Sequence, residues 1–133
     1  MIIAVDFDGT LCENKWPEIG APYPGVIAFC LGQRMIGSKL ILWTCRQGKE
    51  LQEAIDWCKR FHLTFDAVNE NLPEHIAAFG GDTRKVYADM YIDDKNAKID
   101  MVDFVGRHCY RQMFDLFDIC FDRYSDADLG GRY

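Results

Sequence analysis

The sequence predicts an α/β fold built on a mostly parallel sheet. Short apolar runs rich in β-branched residues occur at Ile2-Ile3-Ala4-Val5 and Leu40-Ile41-Leu42-Trp43, and stretches of helical period lie between such runs. Polar groups cluster where the runs end, at Asp6, Asp8, Thr44, Asp93 and Asp94. Alternation of this kind points to βαβ units. At 133 residues the chain fits one domain, 1–133, with enough length to bury a core.

The elements follow in order. Residues 2–5 read as a buried first strand. Residues 12–25 contain Pro17, Gly20, Pro22, Pro24 and Gly25, a density of breakers that excludes a helix and predicts a loop or short hairpin arching over the strand end. A helix over 26–35 ends at Gly37, and residues 39–43 form the second strand. Over 49–61, Leu51, Ala54, Ile55, Trp57 and Cys58 recur at helical spacing. Residues 64–68 give a short third strand, Pro73 opens a helix to Phe79, and 86–92 give a fourth strand ending at Asp93-Asp94. A catalytic core of 1–105 is then followed by a helical extension over 106–133, where Met113, Leu116, Phe117, Cys120, Phe121 and Tyr124 recur at steps of three and four and the tail frays.

Composition excludes several classes. Apolar residues make up 49% and charged residues 27%, and no stretch approaches the roughly 18 apolar residues of a membrane span. The acidic start is unlike a secretory leader, so the expectation is a soluble, cytoplasmic protein. A net charge of −6 argues against broad contact with nucleic acid. The six cysteines are irregularly spaced without a C-x-x-C, as expected of reduced thiols in or near a core, Cys45 included. His62, His75 and His108 are too scattered for a zinc site.

The polar set at the strand ends has one consistent chemistry. A carboxylate at Asp6 or Asp8 can attack phosphorus while the second carboxyl shuttles the leaving-group proton. Thr44 and the ammonium of Lys85 can hold the non-bridging oxygens, and Arg46, just past Thr44, is a further candidate to line the crevice. Lys95 rivals Lys85 for the lysine's place. Asp93 and Asp94 would complete a Mg²⁺ site, because that ion prefers oxygen ligands. Without a cation, repulsion between an anionic nucleophile and an anionic phosphate would amount to several kcal/mol.

These residues resemble the haloacid dehalogenase-like (HAD) phosphohydrolases. Asp6-Phe7-Asp8-Gly9-Thr10-Leu11 matches the first motif, Leu40-Ile41-Leu42-Trp43-Thr44 looks like the second, Lys85 is the candidate for the third, and Tyr91-Ile92-Asp93-Asp94 is similar to the fourth. The resemblance implies a three-layer Rossmann-like sandwich of strand order third-second-first-fourth, without a cap domain. It also implies that Asp6 is the nucleophile that forms an aspartyl-phosphate and Asp8 the acid/base. Thr44 and Lys85 would hold the phosphoryl group. Mg²⁺ would be bound by the Asp6 side chain, the Asp8 carbonyl and Asp93, with Asp94 assisting; which acid of the last pair is the direct ligand stays open. The expected substrate is a phosphorylated small molecule or a bulky phosphorylated one, and an open site leaves room for closure by a second copy in a homo-oligomer. Two rivals are a phospho-acceptor signalling domain, whose acceptor Asp falls near mid-chain, and a non-catalytic phosphate- or Mg²⁺-binding module.

Overall fold

In the computed structural model, residues 1–96 are described; the C-terminal extension expected over 106–133 lies outside them. Strand β1 (Ile2–Val5) is flanked in parallel by β4 (Lys39–Leu42) and β6 (Met90–Ile92), and β5 (Ala67–Val68) adds to β4. The order β5-β4-β1-β6 is the expected third-second-first-fourth. Helices α1 (Pro24–Met35), α2 (Gly48–Arg60) and α3 (Pro73–Phe79) lie between the strands in sequence. The molecule is thus α/β with a parallel four-stranded sheet and three helices among the described residues, an arrangement compatible with a Rossmann-like fold.

The period-two rule for strand side chains sorts the core into two faces. Ile3 and Val5 point to the face packed by Ile27 and Cys30 of α1 and by Ala54, Trp57 and Cys58 of α2. Ala4 points the other way, with Ile41, Ala67, Leu72 and Val86. Both faces of the central strand are therefore buried, which is why β1 reads as a continuous apolar run rather than an alternating one.

The breaker-rich stretch is a hairpin, β2 (Cys12–Lys15) and β3 (Glu18–Pro22), turning at Trp16-Pro17. A side chain at Gly20 would collide with the Glu13 backbone, so glycine permits the close pairing. Helix α1 begins two residues earlier than periodicity suggested, because Pro24 occupies the first turn, where its missing N–H costs nothing.

The fourth strand is much shorter than its apolar run. Residues 82–87 are held by side chains instead of a ladder: buried Asn71 donates to Asp82 at 2.6 Å and accepts the Tyr87 N–H at 2.7 Å. Asp89 accepts the Ile2 N–H at 2.7 Å, a structural role at the start of β1. No helix among the described residues is long and apolar enough to cross a membrane.

Candidate active site

Register brings the polar groups together. Val5 pairs with Leu42 on one side and Ile92 on the other, so the chain leaves all three strands at one level. Asp6, Trp43 and Asp93 are the next residues on each, and Asn69 follows Val68, which pairs with Leu42. Backbone bonds hold this edge: the Asp6 N–H donates to Ile92 O and the Trp43 N–H to Val5 O, both at 2.9 Å. The chain passes from β1 to β4 on one side and returns to β6 on the other, so the edge is a topological switch point, where ligands bind in open α/β sheets.

A cavity of about 490 Å³ opens there. Asp6, Asp8, Thr44, Asp93 and Lys95 reach it from the sheet edge, Trp43 and Cys45 from the loop after β4, and Asn14 and Trp16 from the hairpin. Asp6, Asp93 and Asp94 each offer a carboxylate oxygen within 4.8 Å of the others. Burial first, and then the charges of Asp93, Asp94 and Asp8, push the Asp6 carboxyl up to about 6 against the opposing bond from the Phe7 N–H. A cluster of three carboxylate oxygen donors fits a hard divalent cation such as Mg²⁺.

Local geometry explains the cluster. Gly9 sits at φ +83°, and any Cβ there would overlap the Asp94 carboxylate, so glycine both makes the turn and admits the acid. The Asp94 N–H donates to Thr10 Oγ1 at 3.0 Å, tying the late acids to the early turn. Asp93 Oδ1 accepts the Lys95 N–H at 2.8 Å, a local turn that fixes the first acid of the pair. Between the two early acids, Phe7 is fully buried and meets Trp57 edge-on at 5.4 Å, anchoring the segment in the core.

Asp8 is held differently. Both its oxygens accept from Arg46, Nε at 2.8 Å and Nη2 at 2.7 Å. The Arg46 side chain is fully buried; it also donates to Pro17 O and Glu18 O, and its guanidinium lies between the rings of Phe7 and Trp16. The expectation that Arg46 meets substrate is therefore corrected: its donors are committed to Asp8 and the hairpin. Of the two lysines left open, Lys85 has its ammonium over the Tyr91 ring, and Lys95 lines the cavity among the described residues. Lys95 pairs with Asp94 at 3.4 Å.

Thr44 stands where its spacing predicted. Its N–H donates to Asn69 Oδ1 at 2.8 Å, and its hydroxyl oxygen accepts the Arg46 N–H at 3.2 Å. Asn69, at φ +54°, is thus the support of the loop after β4. Cys12, Cys30 and Cys58 are buried free thiols, with Cys30 pushed up to about 11 and Cys58 to about 12 by burial; Cys45, expected inside, is exposed at the cavity. The reach of Asn14 and Trp16 to the site had no spacing signal, because it depends on how the hairpin folds back.

Fold and site together define an α/β protein with a carboxylate cluster at the carboxyl edge of a parallel sheet. No protein-family model and no curated protein matches the chain. Among solved structures it is similar to a conserved protein from Bacteroides thetaiotaomicron, at 32% identity and a TM-score of 0.65, over 99% of this chain and 98% of that one. The chain belongs to the family of that conserved protein.

Proposed function

We propose that the protein is a Mg²⁺-dependent phosphohydrolase of the HAD type, capless, cleaving a phosphate monoester through an aspartyl-phosphate at Asp6. The observation that supports it best is the meeting of Asp6, Asp93 and Asp94, oxygens within 4.8 Å, in a cavity that Thr44 and Lys95 also line. Bound Mg²⁺ would offset the repulsion between nucleophile and phosphate and polarise the phosphoryl group.

In this reading an Asp6 oxygen attacks phosphorus as the bond to the leaving oxygen breaks. The Thr44 hydroxyl, whose oxygen already accepts from Arg46, has its proton free for a phosphate oxygen, and the Lys95 ammonium balances charge. Asp8, first protonated from solvent, hands that proton to the leaving oxygen and then takes one back from the water that releases phosphate. For that, one of its two bonds to Arg46 has to open. Purified protein with Mg²⁺ should release phosphate from an aryl phosphate, and EDTA should stop it. Release that is indifferent to EDTA would remove the metal from the reading.

A further inference from the structure

The carboxylates and Thr44 account for the phosphate, yet the cavity of about 490 Å³ has a volume suited to a whole small molecule. The rest of its lining includes two indole rings and an amide: Trp43 after β4, and Trp16 with Asn14 on the hairpin. Trp16 is 57% exposed, unusual for so large an apolar side chain, and it is not loosely placed. Its ring centroid lies 5.1 Å from the Arg46 guanidinium carbon, and the same guanidinium binds the carbonyls of Pro17 in the turn and Glu18 at the start of β3. A rigid, exposed indole beside a phosphate site is a stacking platform. Asn14 adds a donor and an acceptor at the same wall, the pairing that reads the polar edge of a base.

We propose that the group carried by the phosphate is a nucleoside, so that the substrate is a mononucleotide whose base stacks on the Trp16 and Trp43 wall with its polar edge toward Asn14. This rests on the phosphohydrolase reading and specifies its leaving group. The phosphorus–oxygen bond to the nucleoside breaks, the nucleoside oxygen takes the proton, and water yields inorganic phosphate.

The test compares nucleoside monophosphates, phenyl phosphate and glycerol phosphate by kcat/KM with Mg²⁺, and by calorimetric binding to the non-turnover variant Asp6→Asn. Nucleotides should exceed glycerol phosphate by about 10-fold or more in both, as loss of a base–aromatic stack is worth. Trp16→Ala should collapse that ratio toward one, and Trp16→Phe should restore most of it. Asn14→Ala should lower kcat/KM for the nucleotides more than for phenyl phosphate. Equal values for glycerol phosphate and nucleotides, or a ratio unmoved by Trp16→Ala, would overturn the proposal while leaving phosphohydrolase activity standing. Phenyl phosphate matching the nucleotides would overturn the nucleoside assignment. Ring-selective binding without hydrolysis of any ester would instead sink the phosphohydrolase reading and keep the wall.

Discussion

Asp6 and Asp8 leave the same strand two residues apart and meet opposite electrostatic surroundings. Asp8 is neutralised by a buried guanidinium that grips both its oxygens. Asp6 faces two further carboxylates, and Lys95 pairs with one of them, Asp94, from an exposed position. One acid is tied into the scaffold, where its partner also holds the hairpin; the other keeps unrelieved charge at a ligand crevice. Unrelieved charge on a backbone fixed by strand register costs stability, and such cost is characteristic of functional positions.

The comparison can be broken most sharply at Asp6. Asp6→Asn should lower turnover by at least roughly 10⁴-fold, the scale for losing a nucleophile, whereas Asp8→Asn should cost roughly 10²–10⁴-fold, as for an acid/base. Initial rates on an aryl phosphate and on an ester with a poorer leaving group measure both, and equal rates for Asp8→Asn and wild type on the poorer one would remove Asp8 from proton transfer. At the scaffold, Arg46→Met leaves the Asp8 carboxylate without its partner and frees two carbonyls. Urea unfolding should show a loss of about 3 kcal/mol or more.

Gly9→Ala tests how close the two ends of the motif lie. A left-handed alanine costs about 1–2 kcal/mol, and its methyl displaces Asp94, so weaker Mg²⁺ binding in calorimetry should accompany the loss of stability. The smallest effect is on metal-free stability. Because burial raises Asp6 to about 6, the native state holds its proton more tightly than the unfolded chain, which has the ordinary value of 3.8. Its stabilisation is therefore complete below about 4 and lost as pH rises through 6. In EDTA, Asp6→Asn should match wild type near pH 4 and exceed it by about 1 kcal/mol at pH 8, after allowance for solvent screening of a half-exposed group. A gap that shrinks with pH would contradict the burial and repulsion that raise Asp6.

Strand order and the convergence of Asp6, Thr44 and Asp93 were legible because buried strands announce themselves by apolar runs and their next residues share an edge. The lysine and the arginine were not. Lys85 lies before the fourth apolar run, but that run pairs only at Met90–Ile92, since Asn71 holds the residues ahead of it by side-chain bonds that no period reveals. Arg46 follows Thr44 in sequence as a crevice residue would, yet the hairpin folds over it and supplies backbone acceptors. Contacts between elements distant in sequence decide both outcomes.

The proposed covalent step is the most direct point of attack. Borohydride added during turnover with Mg²⁺ reduces an acyl phosphate to an alcohol, so peptide mass analysis should find position 6 converted from aspartate to homoserine, only when substrate is present. Sustained phosphate release with Asp6 unmodified, or with the label on another acid, would contradict the assignment of Asp6 as the residue that accepts the phosphoryl group.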